Sequence, residues 1–351
     1  MTREIDHFVT YFTSEFTTIG IVSIKRFLQV YPHAHGVVYC FDDESKILLN
    51  AHINVDTIKI VNFQKSVYFA NIKDELRKDR SELEFLVSIK PLIMYESLLH
   101  CAPNQILIYF DPDVMFYSKV SLDKFSNSSF LVYQQKGLSC ESIQNYGKYN
   151  AGIVVVKNDM YSKAILKLWR EKCFSWCRLV VETDRYADQK YLNHFEEHPG
   201  FASESSWSSN LSARAFAKPI KSVDLKKLKD GIYINGRLLE TFHFHGLRLL
   251  SDGILTGFNR FGSTKMRYRL FVYIYLPIIS SIFELEMKMR SKSTNSLQLL
   301  AKFDKTLIYE KESNSAVVRF IVNFYRVFRL SRIPSRPVKV LLRLQRTLWR
   351  N

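Results

Sequence analysis

The sequence predicts an α/β fold, with a parallel sheet flanked by helices and a basic helical region after it. Short β-prone runs alternate with helical segments over residues 6–134, as expected for parallel strands joined by right-handed crossovers. An uninterrupted run at residues 106–110 (Ile-Leu-Ile-Tyr-Phe) is typical of a buried central strand and leads directly into Asp111 and Asp113. Of the net charge of +16, the 18 basic and 5 acidic residues from position 265 onward contribute +13, which marks a separate basic region.

The composition is that of a folded protein of 351 residues. Apolar residues make up 47% of the chain and aromatic residues 14%, which excludes a disordered polymer. The longest apolar stretch, residues 270–283, is interrupted by Pro277 and is too short to span a membrane. The first residues lack the apolar core of a signal peptide. Five cysteines are an odd number without a framework spacing, so we expect reduced thiols and a cytoplasmic protein.

Three strands and two helical regions are predicted before the central strand. The strands are expected at residues 6–13, 35–41 and 57–61, and the helical regions at residues 19–30 and 72–101. Pro91 marks a break or a new start in the second helical region, because proline fits only the first turn of a helix. The acidic residues 42–44 are expected to close the second strand.

Shorter elements are predicted after the central strand. They are a strand at 129–134, a small-residue turn at 148–152 before a strand at 153–156, a helix at 160–177, a helix start at 188–195, a hairpin at 232–237 and a strand at 241–246. Cys173 and Cys177 lie four residues apart on the helix at 160–177, where packing explains them better than a metal. His243 and His245 alternate with apolar residues, so a strand would direct both side chains to one face.

Asp111 and Asp113 stand at the carboxyl end of the predicted central strand, with Pro112 between them. Ligands of open α/β sheets bind beyond the carboxyl ends of the strands. Residues i and i+2 of an extended segment point to the same side, so the two carboxylates can share one divalent cation. A hard cation such as Mg²⁺ or Mn²⁺ can in turn bind a diphosphate. The alternative is an ordinary Asp-Pro-Asp turn that closes the strand.

The region from residue 265 to residue 351 is predicted to form basic amphipathic helices. Residues 266–289 show a helical pattern around Pro277, and residues 313–351 contain nine basic residues, no acidic residue and apolar residues at helical spacing. Such helices bind anionic membrane surfaces through apolar insertion and charge. A dimer contact is a second interpretation, and nucleic-acid binding is disfavoured because no nucleic-acid motif is present. The predicted domains are therefore residues 1–264 and 265–351.

Four features follow one another within residues 6–262. They are the strand ending in Asp-Pro-Asp, the Lys-Tyr-Asn-Ala-Gly run at 148–152, the Asp-Gln-Lys-Tyr-Leu run at 188–192, preceded by Trp169, and the His-Phe-His-Gly run at 243–246. In this order they resemble the GT-A-fold glycosyltransferases. They are most similar to the family 8 type, which includes glycogenin and bacterial lipooligosaccharide galactosyltransferases, and to enzymes of bacterial surface-polysaccharide assembly. The resemblance implies a Rossmann-like, mixed but mostly parallel sheet.

The same resemblance implies a divalent metal site. Asp111 and Asp113 match the family's Asp-x-Asp motif, whose carboxylates hold Mn²⁺ or Mg²⁺ on the nucleotide diphosphate. The family's third ligand is a histidine in a His-Phe-x-Gly strand, which corresponds to His243. His245 stays open as the alternative ligand, and a packed core histidine is the alternative role for either residue.

The resemblance also implies the residues that contact the donor sugar. Asn150 matches the asparagine of the family's Asn-x-Gly motif, although Ala151 stands where serine is usual. Asp188 and Gln189 match the pair that binds sugar hydroxyls beside the anomeric carbon, and with Asn150 they are the expected catalytic residues. For Asp188, capping of a helix is the alternative role. The residues assigned to the nucleotide sugar are Thr10, Tyr11, Phe12, Arg80, Lys90, Asn150, Gly152 and Gly246, with a solvated helix face as the alternative for Arg80 and Lys90.

The predicted function is metal-dependent transfer of a sugar from a nucleotide-diphosphate sugar, UDP-linked, to a hydroxyl of a bacterial surface glycan or lipid-linked acceptor. The family 8 type implies retention at the anomeric carbon. The expected location is the cytoplasmic face of a membrane, with a homodimer as a further expectation and no nucleic-acid partner. One alternative is a nucleotidyltransferase, although residues 13–20 lack its glycine-rich basic loop. The other is a non-catalytic membrane-binding scaffold.

Overall fold

The computed structural model describes residues 4–53, 55–66, 69–216, 223–250, 253–255 and 269–292. The chain divides into two compact units. The first comprises Met1–Ala215 with Arg237–His243, and the second comprises Phe216–Gly236 with Phe244–Asn351. The predicted boundary at residue 264 stays a prediction, because residues 256–268 lie outside the described ranges.

A seven-stranded sheet forms the centre of the first unit. The strands of the chain are β1 (His7–Phe12), β2 (His35–Cys40), β3 (Ile58–Asn62), β4 (Ile106–Phe110), β5 (Val114–Phe116), β6 (Phe130–Gln134), β7 (Tyr149–Lys157), β8 (Phe201–Glu204), β9 (Leu225–Lys227), β10 (Ile232–Ile234), β11 (Arg237–Leu238), β12 (Thr241–His243), β13 (Arg248–Leu250) and β14 (Gly253–Leu255). The order in the large sheet is β3-β2-β1-β4-β7-β6-β8, and β7 alone runs against the other six strands. The predicted α/β class with a mostly parallel sheet is confirmed.

Helices cover both faces of this sheet. The α-helices within the described residues are α1 (Thr17–Val30), α2 (Asp43–His52), α3 (Ala70–Arg77), α4 (Glu82–Ser88), α5 (Lys90–Leu99), α6 (Cys140–Tyr146), α7 (Met160–Ser175) and α8 (Leu276–Lys292). On one face, Phe27 of α1 stacks on Phe8 and Phe110 of the sheet, with ring centroids 4.8 and 5.2 Å away. On the other, α5 and α7 bury Leu92 and Trp169 in the core.

Local side-chain caps explain where several of these helices begin. Asp42 accepts a hydrogen bond from the Ser45 amide and so starts α2, whereas the sequence analysis expected residues 42–44 only to close β2. Ser81 and Glu84 form a capping box at α4. Pro91 lies in the first turn of α5, as its fixed φ favours. The predicted helical region at 72–101 is thus three helices, with the third starting at the predicted proline.

Residues 149–152 lie within β7, so the turn predicted at 148–152 does not form. Ile153 pairs with Phe110 of β4, while the pairing with β6 jumps from Val154 to Asn150. This irregularity leaves residues 151–153 of β7 without partners on β6, as in a β-bulge. The bulge places Asn150 beside the carboxyl end of β4, since the amide of Asp111 donates to the carbonyl of Gly152 over 2.8 Å.

A second, two-stranded sheet in the first unit pairs β12 with β5 in antiparallel fashion. Its register sets Thr241 opposite Phe116 and His243 opposite Val114. The predicted strand at 241–246 is therefore confirmed only as far as His243. Because β5 starts immediately after Asp113, this pairing brings the histidine to the aspartates.

The second unit is described in part. It contains the antiparallel pairs β9–β10 and β13–β14. It also contains a helical segment in which a short π-helix, Phe271–Tyr275, leads into α8. The predicted helix at 266–289 is confirmed over its described residues, where Ile278 and Ile282 are fully buried. The predicted helices within 313–351 lie outside the described residues. None of the helices in the described ranges is both long enough and apolar enough to cross a membrane.

Candidate active site and metal centre

Asp111 and Asp113 follow β4 in a tight turn at the carboxyl edge of the sheet. The amide of Val114 donates to the carbonyl of Asp111 over 3.0 Å, so that β5 begins at once. The Asp111 side chain is 25% exposed and the Asp113 side chain 11% exposed. Both carboxylates are thus partly shielded from water but still accessible at one edge of the sheet.

His243 completes a cluster with these two aspartates. Its Nε2 atom lies 3.0 Å from Asp113 Oδ1 and 3.9 Å from Asp111 Oδ2. One ligand atom from each of the three residues falls within 4.8 Å of the others. The sequence analysis left His243 and His245 as alternatives, and the cluster contains His243. Since β12 ends at His243, the alternation that would direct both histidines to one face does not extend to His245, which lies in the second unit.

The side chain of Asn150 lies against the Nδ1 atom of His243. Asn150 Oδ1 accepts a hydrogen bond from the Gly152 amide over 2.9 Å, which fixes the orientation of the side-chain amide. The same oxygen lies 3.1 Å from His243 Nδ1. Because an amide oxygen can only accept, Nδ1 is the nitrogen that donates to Asn150, and Nε2 is the nitrogen that faces the carboxylates.

This donor set fits a divalent cation. Two carboxylates and an imidazole nitrogen can bind a divalent cation such as Mn²⁺ or Mg²⁺. Coordination positions are then left for a phosphate or water. Three acceptors that converge within a few ångströms repel one another unless a cation or an additional proton lies between them. Gly152 leaves the space that the imidazole occupies, because a Cβ atom there would lie 2.3 Å from His243 Cε1.

Lys90 connects the cluster to a second carboxylate. Its Nζ atom lies 2.9 Å from Asp188 Oδ2 and 3.4 Å from Asp111 Oδ1, and it donates to the carbonyl of Ala151 over 3.1 Å. The residue is 3% exposed, so its ammonium group is held away from solvent. Burial alone would lower the pKa of Lys90, but the Asp111 and Asp188 carboxylates raise this pKa above its usual value. Lys90 is therefore a fixed positive charge.

Tyr109 is a site residue that the sequence analysis missed. Its hydroxyl donates to Asp111 Oδ1 over 2.5 Å. Burial, together with the nearby Asp111 charge, raises the pKa of Tyr109 well above its usual value, so the hydroxyl stays protonated. Tyr109 and Lys90 thus both hold Oδ1 of Asp111, which leaves Oδ2 to face His243. In the sequence Tyr109 is one of five consecutive strand residues. Because residues i and i+2 of a strand point to the same side, its position two residues before Asp111 is the one signal that could have identified it.

Asp188 and Gln189 lie next to Asn150, but they do not cap a helix. The segment after them, Lys190–Phe195, is a 3-10 helix without a side-chain cap. Asp188 is 3% exposed and its carbonyl accepts from Trp169 Nε1 over 2.8 Å. Burial raises the pKa of Asp188, and the ion pair with Lys90 offsets part of this rise. Gln189 Oε1 accepts from Asn150 Nδ2 over 3.0 Å, which joins the predicted sugar-binding residues in one network.

The structure does not bring all the predicted residues to the cluster. Arg80 donates to the carbonyl of Phe174 over 2.5 Å and lies 3.6 Å from Asp79, so its contacts are structural. On β1, Thr10, Tyr11 and Phe12 are buried, and the Tyr11 hydroxyl donates to the carbonyl of Leu86 over 2.7 Å. Gly246 belongs to the second unit, where its φ of 79° is the left-handed conformation that favours glycine.

No protein-family model matches the chain. Two uncharacterised proteins of Bacillus subtilis (strain 168) are similar in sequence. YfnD is 22% identical over 228 residues, which cover 62% of this chain and 70% of YfnD. YfnF is 23% identical over 191 residues, which cover 50% of this chain and 61% of YfnF.

Solved structures of glycosyltransferases are similar in architecture. The galactosyltransferase LgtC, in complex with donor and acceptor sugar analogs, gives a TM-score of 0.44 and 13% identity over 68% of this chain and 87% of that chain. The glycosyltransferase GlyE of Streptococcus pneumoniae TIGR4 gives a TM-score of 0.41 and 14% identity over 82% of this chain and 64% of that chain. Similarity at this level assigns no substrate, metal or acceptor to the chain.

Proposed function

We propose that the chain is a metal-dependent glycosyltransferase that moves a sugar from a nucleoside-diphosphate sugar to a hydroxyl of a glycan acceptor. One observation carries the proposal: the three converging acceptors of Asp111, Asp113 and His243 lie beside the buried Lys90–Asp188 ion pair. The acceptors suit a divalent cation, and the ion pair supplies fixed charge next to it. Such an arrangement meets the electrostatic needs of a reaction whose leaving group is a diphosphate.

The cluster residues would bind the cation and Lys90 would assist the leaving group. Asp111, Asp113 and His243 would hold Mn²⁺ or Mg²⁺ through Oδ2, Oδ1 and Nε2, the atoms that face one another. When bound, the cation supplies Lewis-acid stabilisation of the diphosphate. Lys90, 3.4 Å from Asp111, adds a positive charge that does not have to be reorganised as negative charge develops.

Asn150, Asp188 and Gln189 would orient the donor sugar. Their side chains are tied together by the Asn150–Gln189 hydrogen bond and by Lys90, and their polar atoms match hydroxyl groups as partners. Because Asp188 is already paired with Lys90 over 2.9 Å, it is poorly suited to act as a free base. We therefore infer retention of configuration, in which the leaving phosphate accepts the proton of the acceptor hydroxyl.

The nucleotide would lie at the carboxyl end of β1, which neighbours β4 in the sheet. The side chains of Thr10 and Phe12 are buried in the protein, so we assign the contacts of this strand mainly to its backbone. A UDP-linked donor is the proposed species, on the strength of the motif resemblance described above. Gly152, which lacks a side chain, would let the backbone approach the donor closely.

We propose a lipid-linked glycan as the acceptor, presented at an anionic membrane surface. The support is the sequence of residues 313–351, with nine basic residues, no acidic residue and apolar residues at helical spacing. Truncation after Glu312 should leave release of the nucleoside diphosphate intact and abolish sedimentation with anionic vesicles. Neutral vesicles are the control, because the electrostatic part of the binding is then absent. Sedimentation of the truncated chain with anionic vesicles would contradict this role, and its aggregation would instead indicate a core or dimer contact.

A panel of UDP-sugars with Mn²⁺, Mg²⁺ or EDTA tests the central proposal. Ligand binding to the folded state raises the melting temperature by mass action, so a donor should stabilise the protein only when the metal is present. The selected donor is then incubated with the protein, and release of UDP is measured. Release of pyrophosphate from a nucleoside triphosphate and a sugar phosphate would indicate a nucleotidyltransferase. Metal-independent binding without turnover would indicate a non-catalytic protein.

A further inference from the structure

We propose that one face of α5 and α7 is a contact for an anionic lipid membrane. Met160, Ala164 and Leu168 recur every four residues on α7, so they lie in one row along the helix. Met160 is 74% exposed and Leu168 is 43% exposed, although both side chains are apolar. Leu99, also exposed, lies in the last turn of the neighbouring helix α5. These residues form an apolar strip on the surface of the first unit.

A row of basic residues borders this apolar strip. Lys163, Lys167 and Arg170 follow one another at spacings of four and three residues, which places them along one side of α7. The Lys167 ammonium and the Arg170 guanidinium lie 5.6 and 5.7 Å from the ring centre of Tyr95. Because Tyr95 belongs to α5, the basic row lies on the side of α7 that faces α5.

The cations of this basic row are not compensated within the described part of the chain. None of the three forms an ion pair there, whereas Lys157, three residues before α7 begins, is paired with Asp159 over 3.4 Å. The sequence of α7 contains four basic residues and one acidic residue, Glu171, so the helix carries a net charge of +3. A partner for this face should therefore be negatively charged.

The same charge disfavours two occupants that the protein itself could supply. Residues 313–351 contain nine basic residues and no acidic one, so the basic row would repel them. A second copy that docked through the same face would set the basic row of one chain against that of the other. The charge thus favours an occupant other than this chain.

The apolar strip favours a lipid bilayer over other anionic partners. A nucleic acid would pair with the basic row but would leave Met160 and Leu168 in contact with water. A bilayer that contains anionic lipid binds both rows, because apolar side chains insert at the acyl boundary while lysine and arginine stay at the head groups. Ile165 and Trp169 anchor the opposite side of α7 in the core, so the helix lies along the surface as such a contact requires.

A membrane contact at this face would orient the active site. α5 begins at Lys90, which pairs with Asp111 and Asp188, so one helix connects the face to the site. The inference rests on the lipid-linked acceptor proposed above, for which residues 313–351 would supply the first membrane contact and this face the second. Because the face is small, it adds to the binding by residues 313–351 and does not replace it.

The test places one tryptophan in the apolar strip and another outside it. Leu168→Trp reports on the strip, and Ile47→Trp is the matched control, because Ile47 is 67% exposed on α2. α2 is hydrogen-bonded to α1 through Ser45 and Thr17, on the opposite face of the sheet from α7. Emission of the full chain is recorded on vesicles of phosphatidylglycerol and phosphatidylcholine, with and without bromine atoms on the acyl chains. The wild type, with four tryptophans, supplies the background.

We expect the emission of Leu168→Trp to move to shorter wavelength on the vesicles and to be quenched by brominated chains, because the new indole enters the bilayer. Ile47→Trp should differ from the wild type by the same amount with and without vesicles. Unchanged emission of Leu168→Trp on vesicles that carry bound protein would overturn the inference and leave the role of residues 313–351 intact. A shift without vesicles that grows with protein concentration would indicate a second copy on this face and would also overturn it.

A charge reversal tests the basic row separately. Lys163→Glu with Lys167→Glu is compared with Lys46→Glu with Lys59→Glu, on α2 and β3, so that the total charge is the same in both double variants. Each basic residue near an anionic surface contributes about fivefold to the partition coefficient, so the first double variant should bind these vesicles at least about 25-fold more weakly. The second should bind nearly as the wild type does.

Equal losses in the two double variants would overturn the inference, because the total charge and not the basic row would then determine binding. If the wild type does not sediment with the vesicles, the inference fails together with the membrane role of residues 313–351. Release of UDP from the donor tests sugar transfer independently of both, so failure of the proposed reaction and failure of the membrane contact are distinguishable.

Discussion

Two groups of charged side chains lie side by side at the carboxyl edge of the sheet, and they differ in how their charges are balanced. Asp111, Asp113 and His243 direct acceptor atoms at one another, and the nearest of these atoms are 3.0 Å apart. Lys90 and Asp188 instead form an internally compensated pair at 2.9 Å, and both residues are 3% exposed. The first group presents atoms that can bind a cation, whereas the second is an ion pair of opposite charges.

The comparison distinguishes residues that could bind a cation from residues that hold each other in position. Two carboxylates that lie close together disfavour the folded state unless a cation or a proton lies between them. A buried ion pair is stable only while both members are present. Loss of a residue from the first group should therefore affect function more than folding, and loss of a residue from the second should affect both.

The largest expected effect is that of Asp113→Asn, which replaces one carboxylate of the cluster of Asp111, Asp113 and His243 by a neutral amide of the same size. Turnover, measured as release of the nucleoside diphosphate at saturating Mn²⁺, should fall at least about 10²–10³-fold, because stabilisation of the leaving group is lost. The melting temperature without metal should stay near the wild-type value, because the substitution keeps the size and shape of the side chain. Asp74→Asn, an exposed change on α3, is the control. Wild-type turnover in Asp113→Asn would remove the basis for the metal assignment.

The second effect is that of Lys90→Met, which leaves Asp188 buried without its cation. Breaking a buried pair in this way costs about 3–5 kcal/mol of stability. The double variant Lys90→Met with Asp188→Asn removes both charges and should recover a large part of that stability without recovering turnover. Urea denaturation of the wild type, Lys90→Met, Asp188→Asn and the double variant measures the coupling free energy between the two side chains. If the double variant is as unstable as Lys90→Met, the two side chains do not act as a pair.

The stability of Lys90→Met should also depend on pH in a defined direction. Burial raises the pKa of Asp188, and without Lys90 nothing offsets that rise. The folded variant then binds a proton more tightly than the unfolded chain does, so its stability relative to the wild type should increase as the pH is lowered from about 7 to about 5. Equal loss of stability at both pH values would mean that Asp188 finds another partner when Lys90 is removed.

The sequence analysis predicted the residues at the end of β4, but it did not predict the order of the strands. The hydrophobic run at 106–110 and the Asp-Pro-Asp turn follow from local patterns, and the structure has them as expected. The reversal of β7, the bulge that displaces Asn150 and the pairing of β12 with β5 depend on contacts between distant segments. No local periodicity encodes those contacts, which explains why 148–152 was predicted as a turn.

The same distinction applies to the site residues. Asp111, Asp113 and His243 carry side chains whose chemistry is visible in the sequence. Tyr109 was missed because a buried tyrosine is a common residue, and only its hydrogen bond to Asp111 gives it a role. Arg80 was predicted for its charge, but the contacts of its guanidinium group are with Phe174 and Asp79.

His243→Ala should have the third largest effect, and it tests whether the histidine is a ligand of the cation. Donor affinity should fall about 10–100-fold when Mn²⁺ is present and remain at the weak wild-type level when EDTA is present. Calorimetric titration of UDP-sugar under both conditions measures the difference. His245→Ala is the matched control, because the cluster does not contain His245. Equal losses with metal and with EDTA would mean that His243 has a packing role.

The smallest expected effect is that of Tyr109→Phe, which removes only the hydroxyl that holds Asp111 Oδ1. Asp111 would then be held by Lys90 alone, 3.4 Å away, and its carboxylate could rotate away from the orientation in which Oδ2 faces His243. We expect Mn²⁺ affinity to fall about tenfold or less. Stability should fall by about 1.5–3 kcal/mol, as is usual for a hydrogen bond to a charged group.

Tyr133→Phe is the matched control for this last change. Tyr133 is a buried tyrosine of the same sheet, on β6, and its hydroxyl has no hydrogen-bond partner among the described residues. Removing that hydroxyl should therefore leave both Mn²⁺ affinity and stability near wild-type values or improve stability slightly. If Tyr109→Phe matches Tyr133→Phe in Mn²⁺ affinity, the orientation of Asp111 does not depend on the tyrosine. Lys90 would then be the group that connects the ion pair to the ligand set.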